Sequence, residues 1–406
     1  MNLPDSLSLS TIPSLLAASL VLLLGTVLCR KIGFLSRYSI PSPIVGGLVF
    51  ALVVVALGMV SDFRLTLETT AKPYLLLLFF ASIGLTADFR LLAKGGVRLL
   101  WFLLALAPFL FAQNVVGIGV AEALGMHPLM GLVGGTITLI GGHGTGAAYA
   151  ERFAEVNNIQ SVMELTMTAA TLGLVLGGII GGPVGEWLVK RHRLTSKAKG
   201  GKRGGAAAER PQTAQPVSVT GFIGALAAAF VALLVGQALG ELFEGGVITL
   251  PSFLWCLIIG LVIRNGGDLI GLRVDPAAAD LIGSVSLSIF LAWTMMALDL
   301  ATVVQTAGAL LIVLAFQAVL IAIWAVLVCF RFVGRDYEAA VISAAFIGFA
   351  MGATATAIAN MQAITQRHGP APQAFIIVPI VGAFLIDIMN ALVLTVFLSL
   401  AFMGGG

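Results

Sequence analysis

The chain has 406 residues, of which 59% are hydrophobic and only 10% are charged, with a formal net charge of +3. Soluble globular chains carry about 25% charged residues, so composition excludes the two or three soluble domains that length alone would suggest. Apolar runs such as 11–29 and 307–330 reach the roughly 20 residues a helix needs to cross a hydrocarbon core of about 30 Å. The short alternating segments of a membrane β-barrel do not occur, and the chain reads as an all-α polytopic membrane protein.

In chain order, the apolar runs place spans near 11–29, 42–60, 73–89, 99–122 and 162–189. Five more follow near 217–243, 251–264, 280–299, 306–330 and 373–402, and the short run at 251–264 is expected to extend into 265–272. Arg30, the first basic residue, follows the first run instead of preceding it, which argues against a secretory signal. Two further apolar stretches, 129–155 and 339–365, are interrupted by Gly, Thr, His and Asn at their centres. They are expected to be re-entrant hairpins, which leaves ten transmembrane helices.

Eight of the 22 Lys and Arg lie in KRHRLTSKAKGGKRGGAAAER, 190–210. A nucleic-acid-binding segment is one reading of that cluster. Its place between two apolar blocks, with Gly, Ala and Pro around it, favours a solvated cytoplasmic linker at 190–216. With the linker inside and both hairpins returning to their own side, the basic residues divide 19 inside to 3 outside, the three being Arg64, Lys72 and Arg152. Cytoplasmic loops carry the excess of Lys and Arg, so both termini are expected outside. Cys29, Cys256 and Cys329 show no CxxC spacing and lie in or at the ends of apolar runs; they read as small buried hydrophobes.

The segments on either side of the linker resemble one another. IPSPIVGG (40–47) matches LPSFLWCL (250–257), and FFASIGLTADF (79–89) matches FLAWTMMALDL (290–300). GMHPLMG (125–131) parallels GRDYEAA (334–340), and GTGAA (144–148) parallels GATAT (352–356), always about 210 residues apart. An N-terminal repeat at 1–189 and a C-terminal repeat at 217–406 follow. Each has five spans and one hairpin, and an odd number of crossings inverts the second copy. Inverted repeats with broken helices point to a secondary transporter with a site near the bilayer midplane.

The stretch LIGGHGTGAA, 139–148, admits three chemistries. A phosphate loop would need Gly-Lys-Ser/Thr and a hydrolase elbow G-x-S-x-G; neither is in the chain. HExxH is also missing and His127, His143, His192 and His368 lack ligand spacing, so an enzyme is not expected. The third reading is a hairpin tip, where irregular backbone is tolerated because it lines a cavity. The N–H groups of a half-helix start then form an anion site suited to a carboxylate. Gly142, Gly144 and Gly146 would let backbone approach a ligand, while Thr138 and Thr145 add hydroxyls. His143 is open to either a structural hydrogen bond or a ligand contact. In the second stretch, FAMGATATAIANMQAIT at 349–365, Thr354 and Thr356 repeat the pattern, and Asn360 and Gln362 add carbonyl oxygens. The competing reading is that small residues merely permit close helix packing.

Asp387 lies inside the apolar run VGAFLIDIMNALVL, with Asn390 three residues on and on the same helical face. A carboxylate at that depth costs about 2.5 kcal/mol or more, and no Lys or Arg is expected at matching depth. Asp387 and Asn390 therefore read as hard oxygen ligands for a small cation, joined by Asn360 and Gln362. Glu164 ranks lower, and Asp88 and Asp299 fall near span ends.

ITLIGGHGTGAA, ATLGLVLGGIIGGPV, GATATAIANMQAIT and VPIVGAFLIDIMNALV closely resemble the bacterial sodium/glutamate symporter family over nearly the whole chain outside the linker. The resemblance implies sodium-coupled uptake of L-glutamate across the bacterial inner membrane. It also implies a lipid-embedded homodimer in which a mobile domain carrying both hairpins moves elevator-fashion against a scaffold. Ile140 stands where the family usually has serine, and Ala355 where proline is usual. A sodium-coupled carrier of citrate or malate is the nearest alternative, and a channel is the rival outside the carriers. A more anionic substrate should require further arginines near the tips, where only Arg152 and Arg367 are close in sequence.

Overall fold

A computed structural model describes residues 6–37, 40–61, 64–156, 162–196, 217–243, 250–269, 271, 273–297 and 300–400. In chain order the elements are β1 (Ser6–Leu9), α1 (Thr11–Lys31), α2 (Gly33–Arg37), α3 (Ser42–Ser61), β2 (Arg64–Leu67) and α4 (Lys72–Thr86). A 3-10 turn (Phe89–Leu91) leads into α5 (Leu92–Ala123), then α6 (Pro128–Leu132), a π turn (Val133–Ile137), α7 (Gly142–Val156) and α8 (Val162–Arg191). After the linker come α9 (Val219–Leu242), α10 (Ser252–Leu269), α11 (Pro276–Met296) and α12 (Leu300–Trp324). The last is followed by a π turn (Ala325–Cys329), α13 (Phe330–Val333), α14 (Tyr337–Ala350), α15 (Thr354–His368), α16 (Pro372–Ile380), a third π turn (Val381–Leu385) and α17 (Ile386–Leu398). Most of the linker, and Asp299, lie outside the described residues.

Among the described residues, six helical stretches are long and apolar enough to cross a membrane: Thr11–Lys31, Phe89–Ala123, Val162–Arg191, Val219–Leu242, Pro276–Met296 and Gly308–Val333. Leu16, Leu20 and Leu23 on α1, Leu104 and Val115 on α5, and Phe316, Val319 and Ile323 on α12 are exposed. Such contiguous apolar faces mark a surface that something apolar must cover.

The helices differ from the expected spans in instructive places. The span expected at 73–89 ends at Thr86, because Asp88 turns to cap the short 3-10 turn by accepting the Arg90 N–H at 2.9 Å. The last span is not one α-helix; the π turn at Val381–Leu385 divides it. Composition gave no sign of β1 and β2, which pair in parallel with Ser6 opposite Arg64 and Leu9 opposite Leu67. Hydrogen bonds from Thr11 and then Thr70 hold the Glu68 carboxyl beside this ribbon below the usual carboxylate range.

The chain forms two compact units, and neither is a sequence half. One comprises Met1–Thr86 with Val219–Gln305, the other Ala87–Ser218 with Thr306–Gly406. Three long helices from either side of the linker, α1, α3 and α4 with α9, α10 and α11, thus build the first unit, and the later helices on either side build the second.

Within the first unit, contacts recur about 210 residues apart. A Cβ on Gly25 would meet Ser42 O and Gly46 N, joining α1 to α3; one on Gly236 would meet Cys256, joining α9 to α10. Gly84 on α4 lies against Leu257 O on α10, and reciprocally Gly47 on α3 lies against Met295 on α11. Small residues let these backbones touch where lipid supplies no hydrophobic drive for helix association. Ala18, Val21, Ala292, Trp293 and Met296 form a buried cluster beside these crossings.

Candidate functional site

In the second unit both interrupted stretches are helix–break–helix segments. The first runs from α6 through its π turn to a break at Ile140 and Gly141, then into α7. Gly135 inside the π turn is non-helical, with φ −104° and ψ −133°. Gly142 starts α7 in the left-handed region at φ 63°, which costs a non-glycine residue about 1–2 kcal/mol. The second segment runs from α14 to a break at Met351–Ala353, then into α15. The two breaks adjoin: a Cβ on Gly142 would lie 3.6 Å from Gly352 O.

Thr136 is the pivot of the first break. Its carbonyl oxygen accepts the N–H of Ile140 at 3.3 Å, the N–H of Gly141 at 3.1 Å and Asn390 Nδ2 at 3.0 Å. Its own N–H donates to Asn114 Oδ1 at 3.0 Å. Gln113, the neighbour of Asn114 on α5, donates through Nε2 to Ala350 O at 3.0 Å, beside the second break. Gln317 on α12 donates through Nε2 to Gln113 O at 2.8 Å.

Helix α8 seats the second segment on a stripe of glycines at every fourth position, Gly173, Gly177, Gly181 and Gly185. A Cβ on Gly173 would meet Met351 O, one on Gly181 the Asn360 amide, and one on Gly185 the Ile364 side chain. Asn360 fills the space that Gly181 leaves, donating through Nδ2 to Gly177 O at 3.0 Å and Ala344 O at 3.3 Å. The contact of Asn390 with Thr136 O and that of Gly181 with Ala344 O involve positions about 210 residues apart; the amide that one position carries is supplied at the other by Asn360.

Helices α7 and α15 both begin at a break, so their leading N–H groups lack intrahelical acceptors. Ala353, the residue capping α15, makes no side-chain cap. Of the expected substrate contacts, Thr145 is buried and its hydroxyl makes no hydrogen bond among the described residues. Thr356 is 3% exposed with its Oγ1 buried and unpartnered. Gly144 lies buried in the first turn of α7. His143 is buried and its Nε2 stands 3.1 Å from Thr171 Oγ1.

Other expected contacts are turned to structure. Thr138 Oγ1 donates to Val133 O at 2.6 Å. Gly146 accommodates the methyl groups of Thr138 and Thr166. Thr354 Oγ1 donates to Gly382 O at 3.1 Å, tying the second break to the last π turn.

Among the expected cation ligands, Asp387 is half-buried in the first turn of α17 and makes no hydrogen bond or ion pair among the described residues. Asn390, one turn on, is 1% exposed, and its Oδ1 is buried without a partner. Asn360 faces α8 and α14 instead. Gln362 is exposed, since two residues along a helix turn the side chain to the opposite face from Asn360. Glu164 lies in the first turn of α8. Arg367 pairs with Glu186 at 2.8 Å on the surface.

Sequence reading missed the amides of α5 and α12. Gln113, Asn114, Thr136 and Gln317 are each 0% exposed. Gln113 Oε1, Asn114 Nδ2, Thr136 Oγ1 and Gln317 Oε1 have no partner among the described residues, a costly condition unless a ligand or water completes them. The signal was available: FAQNVVG (111–117) and AFQAVL (315–320) place amides in mid-span, where polar side chains are expensive. Among the described residues no group of three or more His, Cys, Asp or Glu could hold a metal.

Comparison with known proteins agrees in one direction. The family model described as sodium/glutamate symporter matches residues 7–370. A sodium/glutamate symporter of Haemophilus influenzae is 43% identical over 394 residues, covering 96% of this chain and 98% of the relative. One from Escherichia coli K12 is 42% identical over 398 residues, covering 98% and 99%.

Proposed function

The chain belongs to the sodium/glutamate symporter family and is a sodium-coupled glutamate symporter, and we propose that it takes up L-glutamate at the two facing helix breaks of its second unit. The observation that carries this reading is the meeting of Gly142 with Gly352, which sets the starts of α7 and α15 beside one another. The positive ends of two helix dipoles and two sets of free N–H groups there suit the carboxylates of an anionic amino acid. Gly142, His143, Gly144, Thr145, Thr356 and Asn360 are the nearest candidates for contact. Thr138, Gly146 and Thr354 hold the breaks in shape.

Sodium is bound in this proposal by Asp387 and Asn390. Two sodium ions per glutamate would give the loaded carrier one net positive charge. A membrane potential contributes about 2.3 kcal/mol per 100 mV to moving that charge, which at about 1.4 kcal/mol per decade is roughly fifty-fold accumulation.

The chain crosses the bacterial inner membrane ten times in two inverted repeats, with 129–155 and 339–365 re-entrant and both termini outside; the 19-to-3 division of basic residues supports this arrangement. Both break segments belong to one compact unit, which suits an elevator in which that unit moves within a homodimer. The test is uptake of labelled glutamate into proteoliposomes under an inward sodium gradient, with competition by unlabelled glutamate, aspartate, citrate and malate. Glutamate should compete best; stronger competition by citrate or malate would reassign the substrate.

A further inference from the structure

We infer that Thr136 is a sodium ligand, its hydroxyl completing with Asn390 Oδ1 and the Asp387 carboxylate a cation site that also anchors the first helix break. This inference rests on the sodium reading above and adds to it a ligand from a second segment of the chain. Three observations carry it.

Asn390 is fixed with its amide nitrogen on Thr136 O at 3.0 Å, so the amide cannot turn over without losing that bond, and the orphaned atom is the oxygen. Thr136 presents a second orphaned oxygen, Oγ1, from the same residue that Asn390 grips. Both side chains are buried, at 0% and 1% exposure. Asp387 supplies a carboxylate with no partner among the described residues, one turn before Asn390 and on the same face. Carboxylate, amide carbonyl and hydroxyl oxygens are what a hard cation prefers.

The position of Thr136 gives the ion leverage over the substrate. Its carbonyl accepts the N–H groups of both break residues, Ile140 and Gly141, and Asn114 holds its N–H. An ion on Thr136 Oγ1 therefore fixes the backbone from which the break departs, six residues before Gly142 starts α7. Sodium then orders the glutamate site before glutamate arrives, and glutamate by linkage raises sodium affinity by the same factor.

The experiment is a sodium titration of purified protein followed by its melting midpoint, without glutamate, on the parent, Thr136→Val, Thr136→Ser and Asp387→Asn. Valine removes a buried, unpartnered oxygen at similar shape and leaves the four hydrogen bonds made by the Thr136 backbone N–H and C=O in place. The sodium-free melting midpoint of Thr136→Val should stay the same or rise, while its half-saturating sodium concentration rises about tenfold. Thr136→Ser, which keeps the oxygen, should titrate within about threefold of the parent. A residue that only packs would not separate Val from Ser in this way. Should Val fail to fold, Thr136→Ala removes the same oxygen and carries the same expectation. Parent-like sodium titration in both Val and Ala overturns the inference. If Asp387→Asn is shifted in that case, the sodium reading survives without Thr136; if it is not, both fall together.

Discussion

Replacing Gly181 by alanine tests the seating of the second break segment on α8. The added Cβ would fall on the Asn360 amide nitrogen, 2.5 Å from Asn360 Cγ and 2.9 Å from Ala344 O. Asn360 must swing away and give up its bonds to Gly177 O and Ala344 O. At about 0.5–1.5 kcal/mol for each buried hydrogen bond, that is roughly 1–3 kcal/mol. Overpacking a close helix crossing adds about 1–3 kcal/mol more. If half of the smaller sum reaches the break, glutamate affinity falls by about fivefold, and the larger sum takes it beyond a hundredfold at about 1.4 kcal/mol per decade. The assay is equilibrium binding of labelled glutamate at saturating sodium, with the melting midpoint measured in parallel. Gly182→Ala is the internal control, because a Cβ there meets nothing within 4 Å. If Gly181→Ala matches Gly182→Ala in both affinity and melting midpoint, Asn360 does not depend on that glycine and the seating argument is wrong.

Gly142→Ala places a side chain in the left-handed region, where its Cβ makes only ordinary contact with Gly352 O at 3.6 Å, so backbone strain, about 1–2 kcal/mol, should weaken glutamate binding while expression and overall stability change little; equal affinity would mean that the break tolerates a different backbone. Single cysteines introduced at 197–210 should react with a membrane-impermeant thiol reagent only from the cytoplasmic side, and one beside Arg64 only from outside. Reaction of both from the same side would contradict ten crossings.

Much of this arrangement is legible in the sequence because a bilayer makes demands that composition records. Apolar runs gave the long helices, and clusters of glycine with polar residues gave the breaks, since backbone cannot be left unpaired in lipid. Landmarks such as GTGAA and GATAT carry the proposed repeats. What the sequence did not yield is the partnership of each residue. Gly142, Gly146 and Gly181 look alike as letters, yet one allows a left-handed turn, one admits threonine methyls and one makes room for an asparagine. Asn360 and Asn390 looked like two ligands of one ion, and their amides in fact grip different segments. The building of each unit from segments on both sides of the linker is a matter of long-range pairing that no local pattern encodes. Gln113, Asn114 and Gln317 were in plain view, but the glycine motifs drew the reading elsewhere.

The central claim is that sodium, held at Asp387, drives glutamate uptake, and the dependence of uptake on sodium concentration tests it most directly. Parent and Asp387→Asn should be reconstituted in the same vesicle preparation and assayed for initial glutamate uptake across a range of external sodium. Asparagine keeps the shape and one carbonyl but removes the charge, so the sodium concentration for half-maximal uptake should rise tenfold or more, a loss of about 1.4 kcal/mol. The apparent affinity for glutamate should then differ between the two proteins mainly at low sodium, as linkage requires. Coincident curves for the two proteins would contradict the account and place the coupling ion away from Asp387.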